Sequence, residues 1–174
     1  MILYFISQPI ESDPKEVKGI ESLTKEEFFQ ELSPYAEKLE ESHGVRPSLL
    51  LAQAALESNW GKSELAQESN NYFGIKNAKG RKYATKEFRQ EEWEETQSYF
   101  KEYDSLEDSM TAYADLLKNG TSWNEDLYQE VIEADHYEKA AYALKEAGYA
   151  TDPSYAEKLI RLIEEYQLNE YDGK

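Results

Sequence analysis

Cysteine is absent from this 174-residue chain, and histidine occurs only twice, as His43 and His136. The first absence excludes disulfides, thiol nucleophiles and thiolate metal ligands. The second argues against a histidine-rich metal centre. No metal or organic cofactor is expected. Basic residues are few beside acidic ones, 19 against 36, which leaves a net charge of −17. So negative a chain is repelled by phosphate backbones and anionic lipid headgroups, which argues against nucleic acid or a membrane surface as a direct partner. The acidity otherwise reads as solubility. Long apolar runs are missing too. The opening "MILYFI" is six residues, lacks a basic flank and soon meets Pro9, so it is too short for a secretory signal. No run reaches the roughly 20 residues of a membrane span. If the natural protein is exported, its targeting segment lies outside this chain.

Aromatics are plentiful: 13% of residues, fourteen of them Tyr. Tyr is amphipathic enough to line a wet groove. The length suits one domain. Residues 1–22, polar with Pro9, Pro14 and Gly19, read as an irregular lead-in. Thr24 and Glu27 form a capping-box signal for a helix ending at Gly44, which Pro34 is expected to break or kink with Ser33 as a new N-cap. Pro47 opens a second helix, apolar on almost every side from Leu49 to Leu56 and stopped near Gly61. Between Tyr72 and Tyr103, short aromatic, partly alternating stretches predict a small antiparallel β region of two or three strands, with "RQEEWEET" as a charged tip or loop. Helices return after Ser105 and Asp108, ending near Gly120. Others are expected over about 125–133 and 137–147. The last runs from Asp152 as N-cap and Pro153 to about Gln167. The main domain is thus 23–168, followed by a tail over 169–174 expected to fray. The fold class is α+β, mainly helical and two-lobed, with a small antiparallel β lobe.

Glu57 stands out among the acids. It follows eight residues of which only Gln53 is not small or apolar, and it ends that helix, where the macrodipole opposes a negative charge. Burial and dipole both favour the neutral acid, and a carboxyl kept protonated near neutral pH suits a general acid. A glycosidase normally pairs such a group with a second carboxylate across the scissile bond. Glu87 is a candidate, since strand alternation puts Tyr83, Thr85 and Glu87 on one face. Glu91, Glu92, Glu94 and Glu95 compete for the role, and spacing alone does not choose among them.

The stretches "AQAALESNWGKSELA…NNYFGIK", "TKEF", "YFKEYDSLEDSMTAYADLL" and "AGYATDPSYAEKLIRLI" resemble, in order, the glucosaminidase domain of glycoside hydrolase family 73, over roughly residues 24–167. The resemblance implies a lysozyme-like fold with a substrate groove between two lobes. It also implies endo-β-N-acetylglucosaminidase action on peptidoglycan glycan strands at the cell wall or outside the cell. It assigns Glu57 as general acid, Glu87 as second carboxylate and Tyr149 as an active-site tyrosine. Asn71, Phe73 and Gly74 then floor the cleft. Trp60, Tyr72 and Trp93 are candidates to stack on sugar faces, with core packing the stronger reading for Trp60. The family usually has Tyr where Phe88 stands, and often Gly where Glu92 precedes Trp93. Two other readings remain open: a lytic transglycosylase with a single catalytic Glu, and a non-catalytic glycan-binding module. The negative charge adds an expectation of a separate wall-binding or anchoring segment.

Overall fold

Pro47–Ser58 forms the helix at the centre of the computed structural model, which describes residues 18–173. With its N-terminal neighbour Lys25–His43 as α1, this helix is α2. Leu49, Leu50, Leu51, Ala52, Ala54 and Ala55 are each at most 1% exposed. Burying each leucine contributes about 1.5–3 kcal/mol, and the alanines let α1 and the last helix, α7 (Tyr155–Glu165), pack against α2.

In α1 the expected capping box is present, with Thr24 and Glu27 exchanging hydrogen bonds, and Gly44 ends the helix at φ 73°. The break expected at Pro34 does not occur, and α1 runs through it for 19 residues. Proline removes the N–H that would reach the Gln30 carbonyl. The Ser33 hydroxyl donates to that carbonyl instead, at 3.3 Å, so the helix continues with its acceptor satisfied. The N-terminus of α2 is completed from the other end of the chain. Asp172 Oδ1 accepts from the Ser48 N–H and Oδ2 from its hydroxyl, both at 2.7 Å, and the Gly173 N–H donates to Glu40. The tail expected to fray is therefore tied down through Gly173, after a 3₁₀ turn at Leu168–Tyr171. Of the expected lead-in, residues 1–17 lie outside the described range, and Ile20–Ser22 is a 3₁₀ turn.

Helix α2 stops before Gly61. Asn59, Trp60 and Gly61 all have positive φ, at 49°, 59° and 75°. A short helix, α3 (Glu64–Ser69), follows under a Ser63 cap, an element that the hydrophobic pattern does not signal. The β lobe is one hairpin, β1 (Lys76–Arg89) with β2 (Glu92–Phe100), in register with Glu87 opposite Glu94 and Phe88 opposite Trp93. "RQEEWEET", expected as a tip or loop, is strand except for Gln90 and Glu91. Both have positive φ, as a two-residue turn matching the strand twist requires. Gly80 sits at the irregularity near the base, where a Cβ would lie 1.8 Å from the Phe100 carbonyl oxygen.

The C-terminal half supplies α4 (Leu106–Asn119), capped by Ser105, then α5 (Gln129–Glu133) and α6 (Tyr137–Glu146). Helix α5 is shorter than the pattern suggested. Asp152 and Pro153 form the turn before α7 rather than its first turn: Asp152 Oδ1 accepts from the Ser154 N–H at 2.8 Å, and the helix begins at Tyr155.

Candidate active site

The hairpin and the helices leave a groove of about 820 Å³ between them. Glu57, Phe73, Gly74, Glu87, Trp93 and Tyr149 all line it. Glu57 reaches it from the last turn of α2, partly buried. Burial pushes its carboxyl up to about 7; a hydrogen bond from the Tyr155 hydroxyl opposes this, and the negative charge of Asp152 adds to it. The acid therefore holds a proton at the mouth of an apolar helix near neutral pH.

Glu87 has the opposite electrostatics. Lys76 Nζ lies 2.6 Å from its Oε1, and Arg89 pairs with its Oε2. These two cations hold its carboxyl below the usual range, so it stays ionised. Strand alternation places Tyr83 and Thr85 on the same face, while Ala84 and Lys86 are exposed. The same groove is thus lined by a carboxyl raised to about 7 and by a carboxylate held ionised.

Tyr149 lies under the groove. Its hydroxyl donates to the Phe73 carbonyl at 2.5 Å, and its ring packs edge-on against Tyr113 and Tyr128. Asn71 does not line the groove. It is buried, donates to the Ile75 and Lys101 carbonyls at 2.9 Å and accepts from the N–H groups of Phe73 and Ile75, so it staples the segment that carries Phe73 and Gly74. Trp60 and Tyr72, named as stacking candidates, stand elsewhere. Trp60 packs edge-on against Phe28, Phe29 and Tyr166 with Lys25 over its ring, and Tyr72 is 5% exposed beside Gly61. The left-handed turn at residues 59–61 directs Trp60 back into the core. Trp93 is on the groove rim, 53% exposed, held edge-to-face by Phe88 at 5.5 Å and covered by Lys158.

Several groove residues escaped the sequence reading. Tyr155 touches Glu57 directly, its hydroxyl donating at 2.6 Å. Thr151 ties the hairpin to the α6–α7 loop, its hydroxyl oxygen accepting from the Phe88 N–H at 2.9 Å. Asp152 and Lys158 pair at 2.5 Å on the same wall. One signal was available for the contacts of Glu57. Gln53 lies four residues earlier in an otherwise apolar helix, so the two polar side chains share a face. Among the described residues, no three His, Asp or Glu side chains converge as a metal ion would need.

The glucosaminidase family described as mannosyl-glycoprotein endo-beta-N-acetylglucosaminidase matches residues 33–168. Exo-glucosaminidase LytG of Bacillus subtilis is 43% identical over 170 residues, covering 96% of this chain and 59% of that protein. Peptidoglycan hydrolase FlgJ of Escherichia coli K12 is 37% identical, with 79% of this chain and 45% of that protein covered. The chain thus spans little more than half, or less, of these curated relatives. Among solved structures, the catalytic domain of the autolysin Auto from Listeria monocytogenes aligns at a TM-score of 0.74 and 37% identity, over 87% of this chain and 89% of that one. A peptidoglycan hydrolase mutant from Sphingomonas sp. A1 aligns at 0.70 and 35% identity, over 84% and 97%. The two-lobed architecture is lysozyme-like, and the chain belongs to the glucosaminidase family, glycoside hydrolase family 73.

Proposed function

We propose that the chain hydrolyses peptidoglycan at the β-1,4 bond between N-acetylglucosamine and N-acetylmuramic acid. Glu57 protonates the glycosidic oxygen as the bond breaks through an oxocarbenium-like transition state. Glu87, ionised on β1 of the same groove, activates water or steadies the 2-acetamido group if that group attacks the anomeric carbon. Tyr149 and the Asn71 staple shape the floor, and Trp93 offers a face to a sugar ring. The observation that carries this reading is the proton on Glu57, held to about 7 at a groove that also holds an ionised carboxylate. Action at the wall or outside the cell, with a separate wall-binding segment, belongs to the same proposal. It is supported by relatives named as peptidoglycan hydrolases that extend well beyond the matched region.

The relatives' names differ on the cut, since LytG is called an exo-glucosaminidase and a Lactococcus lactis protein a probable N-acetylmuramidase. The Phe88–Thr151 hydrogen bond ties the hairpin to the α6–α7 loop at the groove, and the lengths of the products decide between cutting at a chain end and the interior cleavage implied by the family resemblance. Digestion of purified peptidoglycan by wild type, Glu57→Gln and Glu87→Gln, with mass analysis of the products, tests these points together. A reducing N-acetylglucosamine end is expected, and a 1,6-anhydro end would mean a transglycosylase instead. Release undiminished in Glu57→Gln would overturn the assignment of the acid. Glycan binding with no turnover by the wild type would leave a binding module.

A further inference from the structure

Gln53 is fully buried one helical turn before Glu57. Its carbonyl oxygen accepts from the Tyr113 hydroxyl on α4. Its amide nitrogen donates to Tyr155 Oη at 3.1 Å, and the Tyr155 hydroxyl in turn donates to Glu57 Oε1 at 2.6 Å. Burial holds both phenols well above their usual range, so they remain O–H donors at any working pH. Each bond fixes the direction of the next. Tyr113 occupies the Gln53 oxygen, the amide then occupies a lone pair of Tyr155, and the Tyr155 proton is left with Glu57 as its acceptor.

The two oxygens of Glu57 are therefore unlike. Oε1 is already an acceptor, so the acid proton belongs on Oε2. That oxygen faces the backbone of Gly74, where a Cβ would stand 3.6 Å away, and Gly74 lines the same groove as Glu57. We propose that Tyr113, Gln53 and Tyr155 form a one-way hydrogen-bond chain that keeps the proton of Glu57 on Oε2, the oxygen turned to the glycosidic bond. The three are positioning residues, and the proposal rests on the reading of Glu57 as general acid. In the reversed arrangement, with the Gln53 amide rotated, Tyr155 would donate to Gln53 and the proton of Glu57 would point inward to Tyr155, away from substrate.

Removing the Tyr155 hydroxyl separates the two arrangements by sign. In the proposed one, Tyr155 stabilises the carboxylate, so its loss raises the Glu57 pKa. In the reversed one it stabilises the acid form, so its loss lowers it. The other groups around Glu57 are unchanged by the substitution. They are Asp152 with Lys158 from the α6–α7 loop and α7, Tyr113 from α4, Tyr149 and Tyr128, and Glu87 with Lys76 and Arg89 on β1.

The experiment is a carbon-13 NMR titration of the Glu57 carboxyl, assigned by its absence in Glu57→Gln, in wild type, Tyr155→Phe and Gln53→Met. It is paired with kcat and KM on peptidoglycan fragments across pH. Tyr155→Phe is expected to raise the titration midpoint by about one pH unit and to move the alkaline limb of kcat with it, with kcat at its optimum down about tenfold and KM little changed. Gln53→Met should shift the midpoint the same way by less. A merely structural role would leave both midpoints in place. An unchanged or lowered midpoint in Tyr155→Phe overturns the proposal. Because the titration does not depend on turnover, a wild type with no activity would defeat the hydrolase reading while the carboxyl midpoint still decides the chain.

Discussion

At neutral pH a glutamate ordinarily gives up its proton, and Glu57, raised to about 7 by burial, is only half ionised there. The sign of the linkage follows. The folded state binds this proton more tightly than the unfolded chain, whose carboxyl keeps its ordinary value of 4.5. The resulting destabilisation is absent below about pH 4.5, grows between there and about 7, and is complete above that, at about 3 kcal/mol. Glu57→Gln mimics the neutral acid and can still accept from Tyr155. It is therefore expected to melt several degrees above wild type at pH 8, with the two converging near pH 4.5, as calorimetry across pH would show. The same substitution should lower turnover by a factor of about 10² to 10⁴, the usual reach of a general acid. Activity in the wild type should fall as pH rises through about 7, where Glu57 loses its proton. It should fall again on the acid side below the usual carboxylate range, where Glu87 gains one.

The hairpin is the element that brings Glu87 to the groove, and two kinds of contact hold it there. Lys76, at the base of β1, pairs with Glu87 across the strand irregularity around Gly80. Replacing Lys76 with Met removes the foremost cause of the lowered Glu87 pKa, so the acid limb of the rate profile should move to higher pH while the alkaline limb stays with Glu57. Thr151→Val removes the acceptor for the Phe88 N–H and should loosen the tip. Turnover should fall modestly while the Glu57 limb of the pH profile stays in place, as kcat measured across pH would read. Strand alternation in "YATKEF" was enough to put Tyr83, Thr85 and Glu87 on one face, and the apolar run before Glu57 was enough to mark a buried acid. The partners of those carboxylates were not legible. Tyr155 and Thr151 lie about a hundred and about sixty residues away from the groups they touch. Their contacts depend on how α7 and the α6–α7 loop pack, which no local pattern encodes. Trp60 packs against Phe28 and Phe29, as its stronger reading as a core residue expects, and the run of left-handed residues from Asn59 to Gly61 turns it that way. Pro34 failed as punctuation because a neighbouring serine took over its lost hydrogen bond.

At the scale of the whole molecule the charge is unevenly spread. The chain carries −17 overall, yet the groove is lined by four acids, Glu57, Glu64, Glu87 and Asp152, and four bases, Lys76, Lys86, Arg89 and Lys158. With Glu57 protonated the lining is slightly positive. A glycan strand bearing the carboxylates of its stem peptides would thus not be repelled at contact, although the surrounding molecule repels anionic surfaces at longer range. Screening acts on these two ranges differently, since the Debye length shrinks from about 30 Å at 0.01 M to about 10 Å at 0.1 M salt. On walls that carry anionic polymers, association of this domain should therefore strengthen as salt is raised from 0.01 to 0.1 M, opposite to the behaviour of a basic wall-binding module. On walls stripped of those polymers the dependence should flatten. Co-sedimentation of catalytically inert Glu57→Gln with both preparations measures this without digestion of the support. Tight binding to the untreated wall at the lowest salt would show that some other surface of the domain captures it, and that no separate anchoring segment is needed.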